Sequence, residues 1–414
     1  MEWRVDVELK SPLLVGGQKT GSDYMRSLPY IPGGVLRASL ARWIVEQCPL
    51  NRVGNRLFWV EFRDEMACTD CAAHFWCRHF TRLLFTFCYP YGARPWPVTA
   101  VQCKFDSGHP AQDALVHRLL AGRGQAEGPP VCAHCPGGKG RVESVSGFYV
   151  EDGGVYRSVQ PVYRPLTRLG VDPYRRVARD GLLYTVNVLS EVSRQNGREQ
   201  PAVFSGRVRL LEQAVSPAPA TWQCTLRLGA KTTSGLGQVL VSWQLLPTRP
   251  ERGQKRIARG VKAFTALLPE SWRRAGRVYV PLLLLSDACW PQMPPSEHLT
   301  DEGWRKFWQQ SLQEALPGEG AGWQELGWQL EEALVSTGYR SGFDTSAPGG
   351  AWKEYAFLVQ RGSILVLSLP GEALDRALPL LCSLEWLGLG QRREEGYGQV
   401  SVADEIHWRC GKSG

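Results

Sequence analysis

Trp3, Val5, Val7 and Leu9 are apolar, and the residues between them, Arg4, Asp6 and Glu8, are charged. That period of two predicts a half-buried strand over about Trp3 to Leu9. A polar, glycine-rich stretch follows from Gly16 to Tyr24. The period then changes: Leu36, Leu40, Trp43 and Ile44 form one stripe of a helix over about Val35 to Gln47, with Arg37 and Arg42 off the stripe. Residues 50 to 150 carry clustered cysteines and Pro/Gly breaks and read as an insertion. Strands are expected again at about Leu182 to Leu189 and Ala202 to Leu211. Residues 217 to 228 fit either a short helix or a strand, because Trp222, Cys224 and Leu226 alternate while Pro and Gly flank them. Val239, Val241 and Trp243 mark a closing strand.

A Pro/Gly/Arg-rich segment, 247 to 255, reads as a linker to a second half. There the pattern predicts a strand over Arg277 to Leu285, helices over Asp301 to Ala315 and Gly322 to Leu334, and a strand over Tyr355 to Leu369. A helix over Ala373 to Leu387 and a strand from Gln399 complete it. With an irregular strand before Tyr355 the order is β-α-β-β-α-β, a ferredoxin-like module. One phrase ties the halves together. Leu228-Gly229 to Gln238-Val239 and Leu389-Gly390 to Gln399-Val400 share the frame L-G-x5-G-x-G-Q-V, 161 residues apart. The expected fold is therefore α+β: two ferredoxin-like (RRM-like) modules, 1–246 and 256–414, each closed by a glycine-rich loop and a strand.

Charge sharpens this picture. The 414 residues carry a net +8, and 38 of the 48 basic residues are Arg. Arg pairs with phosphate and stacks on bases, which suits nucleic acid, although a GC-rich genome gives the same bias. The glycine loops add local charge: Lys231 beside Thr232 and Ser234 in the first, Arg392 and Arg393 in the second. Gly235, Gly237, Gly396 and Gly398 let backbone approach a partner closely. Gly33 and Gly34 open the first helix, and Lys19, Tyr24, Arg26 and Arg37 lie near it in sequence. Together these residues form the expected phosphate-binding set, with Tyr24 and Tyr397 as stacking platforms. An Arg-Arg-Glu-Glu run in the second loop suits a protein contact as well.

The first strand is no signal peptide, and the longest apolar run, Val280 to Leu285, is too short for a membrane span, so a cytoplasmic location is expected. Of the twelve cysteines, Cys68-x2-Cys71 and Cys132-x2-Cys135 have the bite for one tetrahedral zinc, with Cys77 and Cys103 as substitutes and His74, His79 and His134 as nitrogen donors. Four thiolates would make it structural. An iron–sulfur cluster on Cys68, Cys71 and Cys77 is the lesser option. No Walker loop or HExxH occurs. A ribonuclease reading would need His109, His117 or Asp23, residue types more often structural or turn-forming at such places.

Ser11-Pro12-Leu13-Leu14-Val15-Gly16-Gly17 and Tyr30-Ile31-Pro32-Gly33-Gly34-Val35-Leu36-Arg37-Ala38-Ser39-Leu40-Ala41 are similar to the opening of the CRISPR-associated RAMP superfamily, with Gly34 and Ala38 in place of the usual Ser and Gly. Ser234-Gly235-Leu236-Gly237-Gln238-Val239 resembles its glycine-rich loop. Two modules, a cysteine-bearing insertion and Arg361-Gly362-Ser363-Ile364 resemble the large RAMP subunit of type III-D effector complexes. The resemblance implies a non-catalytic subunit. It would cap the 5′ repeat-derived handle of CRISPR RNA (crRNA), touch backbone and large polymerase-like subunits, and meet target RNA indirectly. The alternatives are a metal-independent endoribonuclease that processes repeat RNA, or a backbone-type subunit that cuts target RNA with Asp23. The loop from Asp23 to Pro32 is shorter than in relatives that cut.

Overall fold

In the computed structural model the alternation at the N-terminus becomes the central strand of a sheet. The structure describes residues 1–409 except 17, 20–23, 49–58, 64, 69, 173, 196–197, 213–217, 248–249, 296–299, 319–320, 342, 345–350 and 353–354. The chain forms two units: Met1–Ala93, Val159–Thr248 and Glu394–Gly396 in the first, and Arg94–Ser158, Arg249–Arg393 and Tyr397–Gly414 in the second. The segment read as one insertion is thus shared out, its first part in the first unit and its later part in the second.

The main elements of the first unit are β1 (Glu2–Leu9), α1 (Gly33–Gln47), β2 (Leu83–Phe85), β3 (Val203–Leu210), β4 (Thr221–Arg227) and β5 (Gln238–Leu246). The strands lie in the order β4-β5-β1-β3-β2. β1 runs antiparallel to both neighbours, with Val5 opposite Gly206 and Trp243. Its apolar positions Trp3, Val5, Val7 and Leu9 are buried, and Leu36, Leu40 and Ile44 of α1 join them in one core. Trp76 packs edge-on to Trp3 and tilted against Trp222 and Trp243, filling that core with large rings. Within the ambiguous 217 to 228 segment, Thr221–Arg227 is strand β4, with Cys224 and Leu226 buried. Hence the first glycine loop joins two strands rather than a helix and a strand.

The second unit holds α2 (Pro250–Leu267), β6 (Arg277–Leu284), α3 (Asp301–Ala315), β7 (Gln329–Leu334), β8 (Ile364–Pro370), α4 (Leu374–Leu387) and β9 (Val400–Val402). The sheet order is β7-β8-β6-β9. Thr300 caps α3, its hydroxyl accepting from the Gly303 N–H at 3.2 Å. Two expectations change here. Most of the linker lies in α2, whose Ile257, Val261 and Phe264 are buried. The helix expected from Gly322 to Leu334 is helical only over Ala321–Gln324 and then becomes β7. Glu331 hides this strand in the sequence: it is buried there, and its carboxylate accepts from Arg123 at 2.9 Å and from Ser368 at 2.6 Å. Among the described residues no helix is long and apolar enough to cross a membrane.

The repeated phrase has one backbone form in both units. Lys231 and Arg392 both adopt left-handed conformations, with φ of 58° and 56°. The Leu228 N–H donates to the Gly237 carbonyl at 2.8 Å, and the Leu389 N–H to the Gly398 carbonyl at 2.7 Å. A Cβ on Gly237 would stand 2.0 Å from the Leu228 oxygen, and one on Gly398 1.7 Å from that of Leu389. The frame keeps its spacing because its leucine and final glycine close one turn. Gly237→Ala and Gly398→Ala should each destabilise their unit by about 2–4 kcal/mol, from left-handed strain plus a backbone collision. Gly235→Ala, with open space around it, should cost about 1–2 kcal/mol. Urea unfolding of the three variants checks the ranking.

Candidate nucleic-acid interface and metal centre

The strand expected at Leu182 to Leu189 belongs to a second sheet in the first unit, whose other strands are not legible in the sequence. Strands Tyr163–Val171 and Ala178–Leu189 form a long antiparallel hairpin, and Tyr24–Arg26 adds to it in parallel. Its inner face is a small core: Leu14, Val186, Val188 and Leu236, with Met25, Leu166 and Tyr184 against it. The other face is open. Tyr24 sits beside Thr185, which lies opposite Thr167, and Arg26 sits beside Asn187. Tyr24 is 39% exposed and Leu183 58%. Arg26 places its guanidinium 4.4 Å from the centre of the Tyr163 ring. At the far end Asp172 accepts from the N–H groups of Tyr174 and Arg175, both at 2.9 Å, and turns the chain. Tyr174 there is 95% exposed, and Arg175 and Arg176 are exposed beside it. Basic, aromatic and hydroxyl groups on an uncovered sheet face suit a single strand of nucleic acid.

The first glycine loop borders the inner side of this sheet. Lys231 donates to the Tyr184 hydroxyl at 2.6 Å and lies 4.3 Å from its ring centre. Arg168, opposite Tyr184, reaches the Ser234 carbonyl at 3.5 Å. Thr232 is half-buried; Thr233, Ser234 and Gly235 are exposed. The Gly237 N–H is bonded to Pro12 O at 2.8 Å and the Gly235 N–H to Thr232 O at 3.4 Å, so these glycines do not offer bare N–H groups. Lys19 lies on a short strand paired with Met25, its side chain outside the described set. Asp23 lies outside the described residues.

The other expected phosphate ligands have different surroundings. A Cβ on Gly33 would stand 2.6 Å from Glu395 O, and one on Gly34 2.9 Å from a Glu395 carboxylate oxygen. A carboxylate of the chain itself therefore lies at the positive end of α1. Gly396 packs where a Cβ would stand 2.6 Å from Phe85 O. The half-buried Arg37 lies 4.6 Å from the Phe80 ring centre. In the second loop Arg392 lies 5.9 Å from the ring centre of Tyr397, and the Gly398 N–H is bonded to Asp287 O at 2.9 Å. Tyr397 is only 3% exposed and hydrogen-bonded to Arg340, so it is no stacking platform. Arg393 is half-buried.

The metal set also differs. Cys103, His109, Cys132 and Cys135, all in the second unit, place their four donor atoms within 4.8 Å of one another. Cys68, Cys71 and Cys77 belong to the first unit, so the expected four-cysteine pairing of the knuckles is replaced by three sulfurs and a nitrogen. Strand Gly140–Ser144 assembles the site. It pairs with Ala100–Cys103 on one side and Val131–Cys132 on the other, which brings Cys103 and Cys132 over one strand. Gly140 is required there, because a Cβ would stand 2.2 Å from the Cys135 sulfur. His109 Nδ1 lies 3.5 Å from Cys132 Sγ and 3.7 Å from Cys135 Sγ, while Nε2 faces Asp106 at 3.5 Å. That carboxylate orients the ring with Nδ1 toward the sulfurs. Burial pushes the Cys103 thiol up, but hydrogen bonds from the Phe105 and Asp106 backbone, His109 and Cys135 outweigh it and bring it down to about 6. The Cys135 thiol, held by its hydrogen bond to Cys103 3.5 Å away, is pushed up to about 12. Three sulfurs and one imidazole fit a closed tetrahedral site. In the sequence His109 reads only as a possible base, because its place 23 residues before Cys132 falls outside any knuckle spacing.

No family model matches the sequence, and no curated protein does. Among solved structures, the chain is similar to one from the Type III-B Cmr-beta bound to cognate target RNA and AMPPnP, with 12% identity, TM-score 0.36, and 88% of this chain and 86% of that one covered. It is similar to a chain of the same complex bound to cognate target RNA alone, with 12% identity, TM-score 0.38 and the same coverage. A chain of the apo state matches at 12% identity and TM-score 0.29, over 59% of this chain and 97% of that one.

Cys132→Ser with Cys135→Ser should remove one equivalent of metal from the purified protein, and Cys68→Ser should leave that equivalent in place. Asp106→Ala should weaken metal retention roughly 10-fold or more through loss of the ring's orientation. Elemental analysis and chelator competition measure both effects.

Proposed function

We propose that this chain is a non-catalytic RNA-binding subunit of a type III CRISPR ribonucleoprotein, and that it holds the 5′ repeat-derived handle of crRNA. The observation that carries this reading is the open face of Tyr24, Arg26, Thr167 and Thr185, continued by the exposed Tyr174-Arg175-Arg176 tip. Aromatic faces stack on bases of any sequence, and the arginines supply phosphate contacts. The first glycine loop adds charge at Lys231, with Arg168 of the hairpin beside it, along the inner side of the sheet. The second serves packing within the protein, consistent with its mixed charge. The β7-β8-β6-β9 order, with a helix before β7 and another before β9, supports a ferredoxin-like second module. In the first module β4 takes the place of the second helix.

The two histidines of the endoribonuclease alternative are engaged elsewhere. His109 faces the sulfur cluster, and His117 Nε2 lies 2.9 Å from Gly128 O. Zinc suits the sulfur-rich donor set and would stabilise the region around Cys103 and Cys132 rather than act on substrate. The partners in this reading are crRNA and the neighbouring backbone and large subunits, in the cytoplasm.

Tyr24→Ala with Arg26→Ala should weaken handle RNA binding roughly 10-fold or more. Lys231→Ala should flatten the log–log salt dependence by about 0.7 if it neutralises one phosphate. Arg392→Ala with Arg393→Ala should leave affinity unchanged. Fluorescence titrations across a salt series test all three, and RNA affinity controlled by the Arg pair alone would sink the assignment. The pure protein should also leave repeat and target RNA uncut with or without divalent metal; cleavage lost on Asp23→Ala or His109→Ala would establish a nuclease.

A further inference from the structure

Helix α2 buries one side in the second unit and leaves the other in solvent. Ile257, Val261 and Phe264 are buried. Gly260 lets the helix come close to the end of β9, because a Cβ there would stand 2.5 Å from the Ala403 carbonyl oxygen. The Arg256 guanidinium donates to the Val402 carbonyl at 3.2 Å. The inner side of the helix is thus held firmly, and whatever the outer side carries is presented on a fixed frame.

The outer side carries Arg252, Lys255, Arg259 and Lys262, all exposed. Steps of three, four and three residues set them on one stripe, about 15 Å long at 1.5 Å per residue. Glu251, in the first turn, is the helix's only carboxylate. Arg259 pairs with Glu405 at 2.8 Å, and Arg409 pairs with the other oxygen of that carboxylate at 2.8 Å. Among the described residues no ion pair occupies Arg252, Lys255 or Lys262. The ring beside the stripe, the half-buried Trp408, is engaged by two guanidinium groups. Arg259 lies 5.4 Å and Arg409 5.0 Å from its centre. Among the described residues no large apolar side chain of α2 is exposed.

We propose that this stripe binds the phosphate backbone of double-stranded RNA without reading its sequence. A duplex keeps its bases stacked inside and presents charge along its outside, which suits aligned cations with no open stacking ring. A single strand calls for aromatic platforms of the kind on the Tyr24 face. A protein partner calls for apolar or aromatic contacts, and lysine is depleted where proteins dock. The choice of RNA rests on the proposed function; the choice of a duplex backbone rests on the stripe itself.

The test uses the full chain and a short blunt-ended RNA duplex of mixed sequence. Arg252→Ala, Lys255→Ala and Lys262→Ala together should weaken duplex binding roughly 10-fold or more at low salt and lower the log–log salt slope by roughly 2 to 3. Lys255→Arg with Lys262→Arg should bind as the unaltered chain does, since charge alone is needed. A second arm requires no variant to fold: the duplex should slow acetylation of Lys255 and Lys262 in the unaltered protein, read residue by residue by mass spectrometry. Unchanged acetylation, or an unchanged salt slope in the folded triple variant, would overturn the proposal. Protection by polyglutamate but not by the duplex would point to an acidic protein and overturn it as well, and equal protection by a DNA duplex would overturn the choice of RNA. Single-stranded handle binding separates the two readings. If it falls on Tyr24→Ala with Arg26→Ala while the triple variant keeps its duplex slope, the stripe fails and the proposed function stands. The reverse pattern keeps a duplex-binding stripe and removes that function.

Discussion

The turn that joins a leucine N–H to the carbonyl of a glycine nine residues on is the constraint from which much of this architecture follows. In each unit the turn places a loop against the last strand of the main sheet, and a Cβ at that glycine would collide with the leucine carbonyl. Because the restriction is steric and local, it survives very different loop contents: Lys-Thr-Thr-Ser in one copy and Arg-Arg-Glu-Glu in the other. It also spends the N–H groups of Gly237 and Gly398 on protein carbonyls. The glycines therefore shape the loops, and side chains around them set what each loop can touch.

The candidate RNA surface uses the cations differently from a bare basic patch. Arg26 lies on Tyr163 and Lys231 on Tyr184. Rings hold these long side chains in place, which lowers the entropy lost when a phosphate arrives. The hairpin that carries the surface has a very small core beneath it, and its outer face keeps Thr, Tyr and Leu side chains in solvent. A face of this kind has binding as its plainest physical use.

The cysteines show how far spacing can be trusted. Each C-x2-C turn forms locally, whatever the rest of the chain does. The third and fourth donors of the second unit's cluster, Cys103 and His109, come from strand pairing and from the loop that follows it. Cys103 and Cys132 come together because both flank the strand from Gly140 to Ser144, and Gly140 leaves room for the Cys135 sulfur.

The sequence by itself determined β1, α1, most of the strands and helices of the second unit, the repeated frame of the glycine loops and the presence of a sulfur-rich cluster. All of these depend on local periodicity or on steric limits within about a dozen residues. Tertiary structure alone decided that Thr221–Arg227 is a strand, since a short alternating segment needs a neighbour such as β5 to choose. It alone paired Tyr163–Val171 with Ala178–Leu189, buried Tyr397, and set a Glu395 carboxylate at the start of α1. It alone joined His109 to three cysteines. Such outcomes depend on which distant segments come together, and no residue pattern within a single element encodes its partner.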